Sequence, residues 1–291
     1  MKIAVIGDLH YPALNDGIEH IAEAREAFYE TFMERFFSVP ADLYVSIGDL
    51  TNYGKAEELE GIYSIIRKHG KRFVHVLGNH DVYGLPRKEV LEITQQQRFH
   101  LLETEEAMLA FIDTTRDQDR ENCGGILDPI QQEWLESVVE YSEETPLLVF
   151  AHHPVYGTTT KSEEPMHYIH PHVSIQEILA EKQGPGLFVN GHNHFNSIAL
   201  RKRWTFLQIA AVLDEQAARI IEVSEAMISI NSIDLSDPVL RVQGQTIGEA
   251  ISHFRLMNCQ LGTEADLQHV IPLPSRSVVQ AAKQAAAVTL K

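Results

Sequence analysis

The sequence predicts an α/β protein in which two β-sheets pack face to face as a sandwich flanked by helices. Three observations predict this fold. Short runs rich in Val, Ile, Leu and Phe recur, helical patterns lie between several of them, and β-rich runs without long helices follow Asn190. The early strands, too short for helices and apolar enough to be buried on both faces, are expected at Ile3–Ile6, Leu43–Ile47, Phe73–Leu77, Leu147–Ala151 and Leu187–Val189.

Four segments between these strands have the spacing of amphipathic helices. In Gly17–Phe37 the apolar residues recur at roughly helical spacing, with acids and Arg between them. The segments Leu59–Ile66, Lys88–Phe99 and Pro129–Tyr141 show the same pattern. Asp128 precedes the proline of the last segment, which gives an N-cap followed by a residue that the first helical turn tolerates. The alternation of strand and helix favours an α/β fold.

After Asn190 the pattern predicts a meander that completes the second sheet. Its expected strands are Ser197–Leu200, Trp204–Ile209, Arg219–Val223 and Met227–Ile230.

The domain prediction is one catalytic domain over residues 1–237 and a C-terminal extension over residues 238–291. The Ala-rich stretch Val278–Val288 is predicted to be a short helix that packs on the core or on another subunit. The C-terminal region is therefore a candidate for homo-oligomer formation.

Composition excludes several classes of protein. The chain has 291 residues, with 24 Lys and Arg against 41 Asp and Glu, so its net charge of −17 disfavours nucleic acid as a general partner. No apolar stretch is long enough for a membrane helix, so we expect no membrane partner. The apolar run at the start is interrupted by Asp8, and Cys123 and Cys259 fit no disulfide framework. We therefore expect a cytoplasmic protein.

Each early strand is followed by side chains that bind metal ions. They are Asp8 and His10, Asp49, Asn79 with His80 and Asp81, His152 and His153, and finally His192 and His194. Because ligands collect beyond the carboxyl ends of strands in α/β sheets, we expect these residues to converge. An extended chain would direct residues i and i+2 of each pair to the same side. Imidazole, carboxylate and amide oxygen without thiolate suit Mn, Fe, Zn or Co.

With these motifs in this order over about the first 195 residues, the sequence resembles the calcineurin-like metallophosphoesterases. Within them it resembles the bacterial phosphodiesterases related to cyclic-nucleotide and glycerophosphodiester hydrolases. The resemblance implies a four-layer α/β/β/α sandwich that holds two divalent or trivalent metal ions (Mn, Fe or Zn), bridged by Asp49. The implied ligands are Asp8, His10, Asp49 and His194 for one metal, and Asp49, Asn79, His152 and His192 for the other.

The resemblance also implies a reaction, the hydrolysis of a small phosphodiester by a metal-bound hydroxide without a covalent intermediate. His80 is the candidate general acid for the leaving alkoxide. Asn52 stands where many relatives have an Asp that orients this histidine, so we expect its amide to orient His80 without stabilising the imidazolium. We expect His153 behind the ligands or facing substrate, with Asp117–Gly125 and Pro154–Gly186 at the rim.

Two other functions remain open. A phosphomonoesterase or nucleotidase would use the same metals. Only one feature disfavours this activity: the motifs around Asp49 and Asn79 contain no arginine that would bind a phosphate dianion. A non-catalytic binding protein of the same fold would be expected to lose a metal ligand or His80, and all of these residues are present.

Overall fold

A computed structural model describes residues 1–14 and 17–274 of the chain. Its first six-stranded sheet has the order β12-β11-β10-β1-β2-β3, in which β1, β2 and β3 are parallel and β10 to β12 are antiparallel to their neighbours. The strands are β1 (Lys2–Ile6), β2 (Leu43–Ser46), β3 (Phe73–His75), β10 (Ala217–Val223), β11 (Met227–Asp234) and β12 (Gln268–Pro272).

The second sheet also has six strands, in the order β4-β5-β6-β7-β9-β8. Its central strands β5, β6, β7 and β9 are parallel, and β4 and β8 are antiparallel edge strands. The strands are β4 (His100–Glu103), β5 (Met108–Phe111), β6 (Leu147–Phe150), β7 (Gly186–Asn190), β8 (Ser197–Arg201) and β9 (Trp204–Gln208).

The described helices are α1 (Ala22–Ser38), α2 (Ala56–Lys68), α3 (Arg87–Thr94), α4 (Pro129–Ser142), α5 (Ile175–Ala180) and α6 (Pro238–Ala250). Two begin at an Asp followed by Pro. The Asp128 side chain accepts a hydrogen bond from the Gln131 amide at the start of α4, and Asp237 caps α6 in the same way. These side chains satisfy amides that the first helical turn leaves without a partner.

Three apolar cores define four layers. Alternate residues of β1 show the arrangement, because Ile3 and Val5 pack between the sheets while Ala4 and Ile6 face the layer of α1, α2 and α6. The outer face of the second sheet packs on α4 and α5. This is the predicted α/β sandwich, and its central strands are buried on both faces as their apolar sequences indicate.

The later strands differ from the predicted meander. The β8–β9 hairpin joins the second sheet beside β7, whereas β10 to β12 extend the first sheet from β1. The prediction that all of them complete one sheet is therefore wrong. Helix α3 is also shorter than predicted, because the chain adopts a left-handed conformation at Gln95 and ends the helix.

The described part of the C-terminal region contacts the body of the molecule. Leu240 and Ile247 of α6 are buried with α1, and β12 pairs with β11 at the edge of the first sheet. Between α6 and β12 the chain crosses toward the carboxyl ends of the central strands, where Asn196 donates a hydrogen bond to the Leu261 carbonyl. The predicted helix at Val278–Val288 lies outside the described residues.

Candidate metal centre

The loops that follow β1, β2, β3, β6 and β7 meet at one edge of the sandwich and bring the seven predicted ligands together. Their donor atoms fall into overlapping groups within 4.8 Å of one another, including Asp8 with His10 and His194, and Asp8 with Asp49 and His152. His10 and His194, which lie 184 residues apart in the sequence, are thus neighbours in space.

One group of donors surrounds the Nε2 atom of His152. This nitrogen lies 3.0 Å from Asn79 Oδ1, 3.2 Å from His192 Nδ1 and 3.2 Å from Asp49 Oδ2. The four residues are the set that the family resemblance assigns to one metal.

Hydrogen bonds on the outer side of this group orient the donors inward. Nδ1 of His152 donates to the Ile47 carbonyl at 3.0 Å, and Nε2 of His192 donates to the Met166 carbonyl at 3.0 Å. The amide nitrogen of Asn79 donates to the Tyr83 hydroxyl at 2.6 Å. With these protons directed outward, two imidazole lone pairs, an amide oxygen and a carboxylate face one point. Such a set of acceptors needs a proton or a cation between its members.

The second group lies beside the first. His194 Nε2 is 3.3 Å from Asp8 Oδ1 and 3.4 Å from His10 Nε2. Asp8 is held by the backbone amide of His192, which lies 3.1 Å from Oδ1. The donors of this group are imidazole and carboxylate, so this set also suits Mn, Fe or Zn.

Asp49 belongs to both groups. Its Oδ2 atom lies 3.2 Å from His152 Nε2 and 3.9 Å from His10 Nε2, and its Oδ1 atom accepts the His80 amide at 2.8 Å. Burial raises the pKa of this carboxyl, but His152 and His80 outweigh burial and hold it well below its usual value. A buried, ionised carboxylate between two donor groups is placed to bridge two cations.

The histidines respond to the two carboxylates. Burial lowers the pKa of His152, but Asp49 outweighs it and raises that pKa to about 9. For His194, burial again lowers the pKa, and Asp8 reverses the direction and raises it. His152 therefore holds its proton in the metal-free protein at neutral pH, and the pKa of His194 is shifted in the same direction.

The backbone at the cluster differs from the extended conformation that we expected. Five of the predicted ligands have positive φ angles between 50° and 68°, namely Asp8, His10, Asp49, His192 and His194. Asp8 and His10 come together through left-handed turns and not through an extended chain, whereas His192 and His194 fall in different groups. The prediction that an extended chain brings each pair to one place is therefore wrong. Residues other than glycine adopt this conformation at a cost, and such strain is concentrated at functional sites.

Two glycines allow this close approach. A Cβ atom on Gly191 would lie 2.2 Å from Asp8 Oδ2, and one on Gly78 would lie 2.1 Å from the Asp49 amide nitrogen. No side chain larger than hydrogen fits at either position without movement of a ligand.

Asp81, the last residue of the third motif, ties two ligand loops together. Its carboxylate accepts the amides of Thr51 at 2.9 Å and Gly78 at 2.9 Å, and lies 3.0 Å from His75 Nε2. Burial raises the pKa of Asp81, but His75 outweighs this effect and lowers it. Asp81 therefore supports the cluster from behind the loops that carry Asp49 and Asn79.

His80 lies beside the cluster and lines the cavity above it. Its Nδ1 atom donates to the backbone carbonyl of Asn52 at 2.7 Å, and its Nε2 atom lies 4.0 Å from Asp49 Oδ2. The Asn52 amide group does not orient His80 as expected, because its nitrogen donates to the Ser252 carbonyl at 3.0 Å. The main chain of Asn52 orients the imidazole.

His153 has both ring nitrogens occupied. Nε2 donates to the Cys123 carbonyl at 2.7 Å, and Nδ1 accepts the Thr114 hydroxyl at 2.8 Å. Burial lowers the pKa of this imidazole to about 3, so it remains neutral. Its ring lies against His192, with centroids 4.3 Å apart. His153 therefore packs against His192 behind the cluster and is not among the residues that line the cavity over it.

The chain after α6 contributes residues to the site that the sequence pattern does not predict. A cavity of about 370 Å³ lies over the cluster, and its lining residues from outside the early motifs include Tyr53, Tyr83, Arg120, His167, His253, Phe254, Arg255 and Met257. The ring of Phe254 stacks on His194 with a centroid separation of 5.2 Å. Asp214 lies behind His194, with Oδ2 3.8 Å from Nδ1. Arg120 and His167 belong to the two segments expected at the rim, whereas Phe254, Arg255 and Met257 belong to no motif that the sequence pattern indicates.

The fold is an α/β sandwich, and a cluster of acceptor atoms lies at its strand ends. Together they indicate an α/β protein that binds cations. The calcineurin-like phosphoesterase family matches residues 1–196, more than half of the chain. The chain therefore belongs to this family of metal-dependent phosphoesterases, as the motifs predict. A comparison with curated proteins finds no match.

Solved structures with the same fold include a dimetal phosphatase from Danio rerio. It has a TM-score of 0.63 and 14% identity, over 81% of this chain and 97% of that chain. The purple acid phosphatase PPD1 from yellow lupin seeds has a TM-score of 0.54 and 10% identity, over 81% of this chain and 52% of that chain. GAP50, the anchor in the inner membrane complex of Plasmodium, has a TM-score of 0.50 and 12% identity, over 89% and 97% of the two chains.

A search of the described residues for a helix both long enough and apolar enough to span a membrane finds none.

Proposed function

We propose that the protein is a dinuclear metallophosphoesterase that hydrolyses small phosphodiesters. The observation that carries this proposal is the set of acceptors around His152 Nε2, at 3.0 to 3.2 Å, whose protons are directed outward by carbonyl and hydroxyl partners. Asp8, His10, Asp49 and His194 would hold one cation, and Asp49, Asn79, His152 and His192 the other. The family and the similarity to a dimetal phosphatase from Danio rerio support this proposal.

When bound, two such cations would polarise the phosphoryl oxygens and lower the pKa of an attacking water. The residues of the chain then have defined tasks. Asp8 and Asp49 would supply the negative charge that holds the cations, and the backbone amides of His192 and His80 hold these two carboxylates in place. Hydrolysis adds water across the P–O bond, so the leaving alkoxide needs one proton.

His80 is the proposed donor of that proton. Its Nδ1 atom donates to the Asn52 carbonyl, so its Nε2 atom is the one free to give a proton toward the cavity. His80 therefore has the orientation that the expected Asp of other members would give, although Asn52 supplies it from the main chain.

A second candidate activity, hydrolysis of phosphomonoesters, is favoured by two arginines. Arg120 and Arg255 line the cavity over the cluster, although the motifs themselves contain no arginine. Guanidinium groups near a phosphoryl site favour a dianion as well as a diester.

The test is a set of assays after reconstitution with Mn, Fe or Zn. We expect metal-dependent hydrolysis of bis(4-nitrophenyl) phosphate, faster than that of 4-nitrophenyl phosphate. The variant His152→Ala should lose activity by at least about 100-fold because a buried ligand is removed. His172→Ala, at an exposed histidine, is the control and should retain activity. Absence of hydrolysis of both esters with every metal would contradict the proposal, and a faster monoester would favour the second candidate.

We also propose a cytoplasmic location. Cys123 and Cys259 are both free thiols, which is the state that a reducing compartment maintains.

A further inference from the structure

The chain between α6 and β12 forms one side of the cavity over the cluster. Residues 253, 254, 255 and 257 line this cavity, and all lie beyond the part of the chain that matches the family. We call residues 251–262 the C-terminal wall.

The C-terminal wall is attached to the catalytic region at separate points. The Ser252 carbonyl accepts the Asn52 amide group at 3.0 Å, and the Met257 amide donates to Asp214 Oδ1 at 2.8 Å. Farther along, the Leu261 carbonyl accepts the Asn196 amide at 2.7 Å. Asn52 and Asn196 belong to loops that also carry predicted ligands, and Asp214 lies beside His194, so the wall is attached close to the cluster.

Phe254 places the wall directly against the ligands. Its ring centroid lies 4.8 Å from that of His10 and 5.2 Å from that of His194. The next residue, Arg255, is exposed and lines the same cavity. Arg255 therefore lies at the exposed side of the cavity, while the cluster lies at its buried end.

Arg255 has no hydrogen-bond or ion-pair partner among residues 1–14 and 17–274 in a protein whose net charge is −17. The other arginine that lines the cavity is engaged. Arg120, also on the cavity, donates from Nε and Nη2 to the Tyr83 carbonyl at 3.3 and 3.2 Å and lies over the Tyr53 ring at 4.5 Å. An exposed, unpaired cation that lines the cavity is available to a ligand.

We infer that Arg255 binds a second anionic group on the substrate, so that the preferred substrates are phosphoesters whose organic part carries a carboxylate or another phosphate. This inference rests on the proposed function, because the cluster must take the reacting phosphoryl group. The cavity of about 370 Å³ is in the size range of small-molecule sites, which leaves room for an organic part between the two ends.

Matched substrates test this inference. Butyl 4-nitrophenyl phosphate and 3-carboxypropyl 4-nitrophenyl phosphate share a leaving group and a chain length, and differ in one carboxylate. For the Mn-loaded protein we expect a higher kcat/KM for the carboxylate ester. Arg255→Ala should reduce that preference by about tenfold or more, because a charge-assisted hydrogen bond is lost. Arg255→Lys should retain part of it, and the exposed control Arg201→Ala should retain all of it.

The outcomes separate this inference from the proposed function. If Arg255→Ala reduces kcat/KM equally for both esters, the inference is overturned, because Arg255 would then act on the reacting phosphate or on the fold. An unchanged preference for the carboxylate ester in Arg255→Ala would overturn the inference as well. If neither ester is hydrolysed, calorimetric binding of 3-carboxypropylphosphonate and butylphosphonate still tests it. Tighter binding of the carboxylate compound that depends on Arg255 would support the inference while the hydrolytic proposal fails, and equal binding would overturn the inference as well.

Discussion

Binding of a cation to His152 should release a proton. In the metal-free protein burial lowers the pKa of this imidazole, but Asp49 at 3.2 Å outweighs burial and raises it to about 9. At pH 7.5 His152 is therefore almost fully protonated. A cation needs the lone pair on Nε2, so its binding must displace about one proton from this residue.

The variant Asp49→Asn removes the charge that holds this proton. Raising the pKa from 6.5 to about 9 corresponds to about 3 kcal/mol in favour of the imidazolium. Without the carboxylate, burial dominates, and the pKa of His152 should fall below 6.5. Asp8→Asn is the matched control, because Asp8 is the main group that raises the pKa of His194.

NMR titration of the histidine side chains in metal-free protein measures both pKa values. We expect Asp49→Asn to lower the pKa of His152 by about two or more, whereas Asp8→Asn should mainly lower that of His194. Calorimetric titration of the wild type with Mn²⁺ in Pipes and in Tris at pH 7.5 gives the number of protons released, for which we expect at least one. A pKa of His152 that does not respond to Asp49→Asn would refute the reasoning.

Three further predictions concern the acid, a glycine and pH. His80→Ala should reduce the rate of hydrolysis of alkyl esters by about 100-fold or more, and that of 4-nitrophenyl esters much less, because 4-nitrophenolate leaves without a proton. Equal losses of rate for both kinds of ester in steady-state assays would argue against the acid role. Gly191→Ala should lower the metal content measured by elemental analysis, because the new Cβ would lie 2.2 Å from Asp8 Oδ2. Gly70 has open space around it, so Gly70→Ala should leave the metal content unchanged. The raised pKa of His152 stabilises the metal-free fold fully below pH 6.5, and this stabilisation is lost as pH rises through about 9. The free energy of unfolding in urea should therefore decrease by up to about 3 kcal/mol over this range, and Asp49→Asn should abolish the decrease. An unchanged pH profile in the variant would contradict the assignment.

The sequence predicts the strand ends and the residues that follow them, because buried parallel strands have a strong local signature. Asp49 and His152 are predictable from this pattern, since each directly follows an apolar run or its terminal glycine. Strands β4, β5 and β12 escaped prediction. The edge strands β4 and β12 are only partly buried and polar at several positions, whereas β5 is a buried parallel strand of only four residues.

Details that depend on distant residues could not be predicted. Asn52 occupies the position expected to orient His80, but its side chain bonds Ser252, which lies 200 residues away in the sequence. Phe254 and Arg255 follow α6 in a segment without regular periodicity, so no local pattern places them beside His194. The positive φ at Asp8 is likewise imposed by the contacts of its loop, because residues other than glycine seldom adopt it locally.

Anomalous diffraction from crystals of the Mn²⁺-loaded protein tests the dinuclear site most directly. We expect two peaks about 3.5–4 Å apart, with the Asp49 carboxylate between them. One peak should lie beside Asp8, His10 and His194, and the other beside Asn79, His152 and His192. A single peak, or two peaks that do not share Asp49, would contradict the assignment.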